Sequence, residues 1–327
     1  MRKPKINQER AIAQESAVIY VALGYEFLLM AINSAKSCNK HNGDLVVVLV
    51  TDQDWTQKNA LVKEVFDKIY VEEIDRKKNR LLKVRAPSYT MEKRGVYLDC
   101  DTVVHGSIEP LLGCLDHFDI VVKMNSQFHR KNFEIAQGIP SYLFPFWNGG
   151  MVAFRNDEVG KSFFSNWEEK FRSMGVNTDQ PALTKTIFEC SNIRVLSVNA
   201  IWNQFPADQR LLSDKKGFIK PHIQHYRSVE QYPEVAEELV MLDSIICSTE
   251  TDLRWRDNPD VREFLARLRL CANKAYKVNW LRPFYLRYVD WRRRMRGEKV
   301  LTRKKPKEVA GQKIAEISDH ELRKAGS

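Results

Sequence analysis

Hydrophobic positions in the first hundred residues come as short unbroken runs separated by longer amphipathic stretches. Residues 17–22 are apolar and rich in β-branched side chains, which predicts a buried strand. Leu23-Gly24 reads as a turn, and apolar residues then recur at 27, 28, 31, 35 and 38, the spacing of one helix face. Residues 45–50 predict a second buried strand with Thr51-Asp52 at its carboxyl end; a helix near 56–66, a strand near 68–74 and a further strand at 96–99 follow. Continuous apolar strands alternating with helices predict a mostly parallel twisted sheet covered by helices, an α/β fold whose ligands bind at the carboxyl ends of strands.

The later pattern is more mixed. Strands are predicted at 118–123, 147–154, 194–198 and 223–226, and helices at 157–174 and 179–189, the latter N-capped by Thr178. Beyond 250, Val261, Phe264, Leu265 and Leu268 mark an amphipathic helix, and Pro283 opens another that carries Phe284, Tyr285, Tyr288 and Trp291. The sequence thus divides into a catalytic-sized domain at 1–250 and a basic, aromatic-rich helical C-terminal extension at 251–327.

Charge sharpens that division. The whole chain of 327 residues carries a net +10, yet residues 251–327 hold 21 Lys and Arg against 10 Asp and Glu, so residues 1–250 are close to neutral. A basic stretch edged with aromatics, as at 280–307, fits an anionic membrane surface; a solvated basic helix packed by its aromatic side fits equally well. Nucleic acid is disfavoured because no binding motif accompanies the charge. The six cysteines have no C-x-x-C spacing, which disfavours zinc and redox motifs. With no apolar run long enough to span a bilayer and a polar N-terminus, the expectation is a cytoplasmic protein, with the tail offering peripheral attachment at the inner face of the membrane.

Candidate chemistry begins with Asp99-Cys100-Asp101 at the end of the strand at 96–99. Carboxylates two apart lie on one side of an extended chain, where both can face a hard divalent cation whose coordination phosphates complete. Phe146–Phe154 places Gly149 and Gly150 at the mouth of an apolar strand, open to close ligand approach, with Asn148 as donor and acceptor beside them. Asp179 and Gln180 sit at a helix start, suited to the hydroxyls of a sugar ring, although Asp179 there would also serve the helix dipole alone. His225 falls on a short strand able to supply a neutral imidazole to a metal, and His222 competes for that role.

In this order, the segments at 17–22, 46–52, 97–103, 147–152, 178–183 and 223–226 resemble the glycosyltransferases of the GT-A fold, nearest to the glycogenin-like and lipopolysaccharide galactosyltransferase-like (family 8-like) group. The resemblance spans about 15 to 227. It implies a GT-A nucleotide-diphospho-sugar transferase that moves a sugar, usually from a UDP-sugar held with Mn²⁺ (or Mg²⁺), to a glycan or lipid-linked acceptor. It implies Asp99, Asp101 and His225 as metal ligands. Tyr20, Ala22 and Asp52 would frame the uridine, and Arg80 and Lys83 would lie near the donor. Asp99, Asn148 and Gly149 would also contact the donor, and Asp179 and Gln180 would act at the transferred sugar. If the anomeric configuration inverts, Asp179 is the candidate base; if it is retained, Gln180 is at most a stabiliser of the oxocarbenium-like centre.

The chain departs from the group after His225, where Tyr-Arg-Ser-Val-Glu-Gln-Tyr lacks the usual glycine and Lys-Pro, and Arg227 is the nearest cation. Acceptor contacts are expected from loops around 125–145 and 200–215, with Phe128, His129, Tyr142, Trp202 and Phe205 as a sugar platform or as domain core. Two alternatives share these features. A sugar nucleotidyltransferase wants a glycine-rich N-terminal phosphate loop that Ala22–Tyr25 is not. A non-catalytic nucleotide-sugar-binding protein would act through the basic tail.

Overall fold

A computed structural model describes residues 15–74, 79–125, 134–136, 139–140, 144–206, 208, 212–214, 217–226, 229, 232–250 and 253–272. The helix predicted from Pro283, the basic stretch at 292–307, and Phe128, His129, Tyr142 and Arg227 lie outside the described residues.

The strands, in chain order, are β1 (Ser16–Ala22), β2 (Val46–Thr51), β3 (Lys68–Val71), β4 (Arg94–Leu98), β5 (Thr102–Val104), β6 (Ile120–Met124), β7 (Glu134–Ala136), β8 (Ile139–Pro140), β9 (Trp147–Arg155), β10 (Val195–Val198), β11 (Ser213–Asp214), β12 (Gly217–Phe218) and β13 (Ile223–His225). The helices are α1 (Tyr25–Asn39), α2 (Ala60–Val65), α3 (Asn79–Lys83), α4 (Glu109–Gly113), α5 (Glu158–Ser173), α6 (Gln180–Glu189), α7 (Pro233–Thr249) and α8 (Pro259–Ala272). Short 3₁₀ turns link several of them.

A seven-stranded sheet runs in the order β10-β6-β9-β4-β1-β2-β3. All neighbours are parallel except those of β9, which is antiparallel to both β4 and β6. The central strands are continuous apolar runs because both sheet faces are covered there: every residue of β1 is buried, whereas the edge strands β3 and β10 are only half-buried. On one face, Phe163, Phe164 and Trp167 of α5 pack against Phe154 of β9 and its neighbours. Each such fully buried aromatic contributes about 2–3 kcal/mol.

The single reversed strand fixes the site. It brings the start of β9, Asn148-Gly149-Gly150, to the edge where β1, β2 and β4 end. At that edge the β6–β9 register jumps from Val122↔Val152 to Lys123↔Asn148, so the two glycines and Met151 bulge out of the β6 ladder. A second device brings His225 to the same edge. β13 pairs antiparallel with β5, placing His225 opposite Thr102, and the Tyr226 amide donates to the Asp101 carbonyl at 2.8 Å.

The unit that holds the sheet runs as far as Ala272. Helix α8, which falls in the extension as read from sequence, packs against α7. Buried Asp243 of α7 accepts from the Tyr25 hydroxyl at 3.0 Å and from both-oxygen contacts with Arg256 at 2.8 and 2.9 Å. The Trp255 ring stacks on Tyr25 with centroids 3.6 Å apart. The segment before α8 therefore clasps the start of α1. Among the described residues, no helix is long and apolar enough to cross a membrane.

Candidate active site

Asp99, Cys100 and Asp101 leave the sheet as β4 ends. Cys100, between the carboxylates, turns inward, where its thiol donates to the Val21 carbonyl at 3.1 Å. That anchor leaves Asp99 and Asp101 facing a cleft of about 350 Å³, which is also lined by Arg80, Lys83, Asn148, Asp179, Gln180 and His225.

Ligand atoms of Asp99, Asp101 and His225 all lie within 4.8 Å of one another. His225 Nε2 stands 3.1 Å from Asp101 Oδ1. Burial alone would raise the Asp101 carboxyl, but the His225 partner outweighs it and holds the group below the ordinary carboxylate range. An imidazole nitrogen and a carboxylate oxygen this close need a hydrogen or a cation between them. Two carboxylates and an imidazole are a donor set that suits Mn²⁺ or Mg²⁺ completed by phosphate oxygens, so these residues fit a divalent metal. His222 is excluded from the cluster: its Nδ1 lies 2.8 Å from the Ser107 carbonyl and its ring faces Trp202 at 4.6 Å.

Lys83 ties the metal side of the cleft to the sugar side. Its buried Nζ lies 3.2 Å from Asp99 Oδ1 and 3.0 Å from Asp179 Oδ2. Burial pulls its pKa down, but Asp179 and then Asp99 more than offset this, so the ammonium stays charged. The Tyr97 hydroxyl donates to Asp99 Oδ1 at 2.7 Å; burial first, and the Asp99 carboxylate second, push that phenol well above its ordinary range and keep it a donor.

Both glycines are required by close approach. A Cβ on Gly149 would stand 2.4 Å from Asp179 Oδ2, and one on Gly150 would stand 2.7 Å from Asp99 Oδ2. Gly149 itself is buried behind Asp179 and Lys83. Asp179 is the N-cap of α6, but its side chain makes no capping bond and points to Lys83 and, at 3.9 Å, to Arg80. The N-cap thus falls one residue beyond the Thr178 expected from the sequence, and the Asp179 carboxylate is held by the cleft's cations and not by the helix start. Gln180 opens α6 and accepts weakly from Asn125 at 3.4 Å.

The first strand differs from expectation. Tyr20 and Ala22 have no exposed surface. The Tyr20 hydroxyl accepts from Ser34 of α1 at 3.2 Å inside the core. Alternate residues of a strand face opposite sides of the sheet, and it is Val21 that lines the cleft. Neither Tyr20 nor Ala22 offers a side chain to a ligand. Asp52 Oδ1 accepts from the Gly24 amide and the Gln53 side chain, each at 2.7 Å; it braces the loop after β1 and is not among the residues lining the cleft.

Sequence reasoning missed Asn203, which bonds both Asn148 and His225. Of the platform residues, Phe205 lines the cleft and stacks on His225 with centroids 4.1 Å apart, whereas Trp202 packs on His222.

No protein-family model matches the sequence, and no curated protein matches it. In backbone the chain is similar to solved glycosyltransferases. The galactosyltransferase LgtC, solved in complex with donor and acceptor sugar analogs, gives a TM-score of 0.50 at 14% identity over 74% of this chain and 99% of that one. An active-site glutamine-to-glutamate mutant of LgtC gives 0.53 at 13% identity, covering 73% and 99% of the two chains. The bifunctional glycosyltransferase WbbM in its apo form gives 0.50 at 12% identity over 77% of this chain and 51% of that one. The likeness is one of fold.

Proposed function

We propose that this chain, which has the GT-A fold shared by LgtC and WbbM, is a metal-dependent glycosyltransferase that moves a sugar from a UDP-sugar to a glycan or lipid-linked acceptor. The observation that carries the reading is the convergence of Asp99, Asp101 and His225 on one point, beside Lys83, Asp179 and Gln180 in one cleft.

Asp99, Asp101 and His225 would hold Mn²⁺ or Mg²⁺, which supplies charge stabilisation to a departing diphosphate. Lys83 adds a fixed positive charge 3.2 Å from Asp99 and orients both carboxylates that flank it. Asn148 lines the cleft at the start of β9, where the bare backbone of Gly149 and Gly150 leaves room for Asp179 and Asp99 to close around a donor. Arg80, on the rim, adds a second cation toward the diphosphate. Asp179, anchored by Lys83, accepts hydroxyls of the transferred sugar, and Gln180 presents its amide beside it. LgtC has itself been solved as an active-site glutamine mutant, and Gln180 is the glutamine lining this cleft. Asp52 shapes the nucleotide end by fixing the loop at Gly24.

The basic stretch at 280–307 would draw the enzyme to an anionic membrane surface at the inner face, by roughly 1 kcal/mol per basic residue near the lipid, which suits a lipid-linked acceptor. Vesicle sedimentation with and without anionic lipid tests this part separately. Turnover of a panel of nucleotide sugars, with and without Mn²⁺, tests the activity: hydrolysis or transfer of a UDP-sugar that needs the metal supports it, and inertness toward every nucleotide sugar contradicts it.

A further inference from the structure

Asn203 is buried without exposed surface, and both ends of its carboxamide are engaged. One end faces Asn148 Oδ1 at 3.0 Å and the other faces His225 Nδ1 at 3.1 Å. The identity of every atom along this line follows from its first member. The Gly150 backbone N–H can only donate, and it donates to the Asn148 side chain at 2.7 Å, so the receiving atom there is the oxygen. An oxygen that faces Asn203 requires the Asn203 NH₂. The other Asn203 atom is then its carbonyl oxygen, which can only accept, so His225 Nδ1 must carry a hydrogen.

We infer that Asn203 is a positioning residue that holds His225 with its proton on Nδ1, leaving Nε2 turned to Asp101 as the ligand atom. The relay begins at the same glycine whose carbonyl receives the Asp99 amide at 2.9 Å, so one backbone position orders both ends of the carboxylate–imidazole cluster. Phe205, stacked on the imidazole, blocks ring rotation that would exchange the two nitrogens. The segment that carries Asn203 is held by a ladder to β13: the Gln204 amide donates to Ile223 O at 2.9 Å and the His225 amide to Gln204 O at 2.8 Å. Partners that fix a ligating histidine's tautomer raise its competence as a ligand, and losing them typically costs about 10–100-fold in metal affinity.

The metal part of this inference rests on the proposed function; the tautomer part does not. The test is ¹⁵N NMR of the metal-free full chain with labelled histidine on wild type, Asn203→Leu and Asn203→Asp, together with Mn²⁺ binding followed by electron paramagnetic resonance. Wild type should show a protonated, pyrrole-type Nδ1 at His225. Asn203→Asp gives up the donor to Asn148 but keeps an acceptor for Nδ1, so the Nδ1 proton should stay. Asn203→Leu should lose it and bind Mn²⁺ about 10–100-fold more weakly. A wild-type Nδ1 that carries no proton overturns the relay without any variant. So does an Asn203→Leu chain with wild-type tautomer and wild-type Mn²⁺ affinity. A wild-type chain with the expected tautomer that binds no Mn²⁺ upholds the relay and overturns the metal centre instead.

Discussion

The amide of Asp99 donates to the carbonyl of Gly150 at 2.9 Å. This bond joins the end of β4 to the start of the reversed strand β9, and it makes the carboxylate clamp and the glycine turn parts of one construction. The cleft is therefore intolerant of added atoms at the turn. Gly149→Ala would push a methyl to 2.4 Å from Asp179 Oδ2 and 3.1 Å from Lys83 Nζ. The variant should lose about 1–3 kcal/mol of stability and most of its turnover, as read by denaturant titration and a donor-consumption assay.

Asp101→Asn removes one charge from the cluster and leaves its shape. It should fold as wild type by circular dichroism and lose turnover by about a hundredfold or more, in keeping with the loss of one preorganised charge-stabilising group. Unchanged turnover would favour a binding role over catalysis.

Lys83 is buried between Asp99 and Asp179. Lys83→Met strands two carboxylates without their cation and should cost about 3–5 kcal/mol. Added Mn²⁺ should restore part of the lost stability, because the cation binds only the native cluster. Thermal melts with and without the metal check both statements.

Asp119 supplies a pH dependence. It is buried and bonded to the Arg194 guanidinium at 2.7 and 3.1 Å, which holds its carboxyl below the usual range. A depressed folded-state pKa contributes stability that is complete above the unfolded value near 3.9 and is lost as pH falls through the folded value. Asp119→Asn should destabilise the chain only modestly at neutral pH, by less than about 1 kcal/mol, because the Arg194 guanidinium is largely solvent-exposed and screened. It should also flatten the acid limb of the stability curve below about pH 4, as followed by urea unfolding across that range.

The parallel strands, the helices that cover them and the Asp-x-Asp strand end were legible because their patterns are local and periodic. The direction of β9 was not, since a strand buried on both faces reads the same either way. The same two-sided burial hid which face Tyr20 takes, so the residue fell to the core side although its neighbour Val21 lines the cleft. Separating His225 from His222 needed the β5–β13 pairing, which joins positions more than a hundred residues apart. Asn203 lies in a stretch without periodicity and acquires meaning only through Asn148 and His225, which no spacing along the chain reveals. Helix α8 reads as part of the basic extension by charge, yet it packs on α7 through buried Val261, Leu265 and Leu268.

The most direct test of the account is the melting temperature of the purified chain with UDP, in the presence and absence of Mn²⁺, for wild type and Asp101→Asn. A ligand at about 100 times its Kd adds roughly 2.7 kcal/mol to the native state. The account predicts a rise for wild type that requires UDP and Mn²⁺ together and disappears in Asp101→Asn. An equal rise without Mn²⁺, an equal rise in Asp101→Asn, or no rise with UDP under either condition would contradict it.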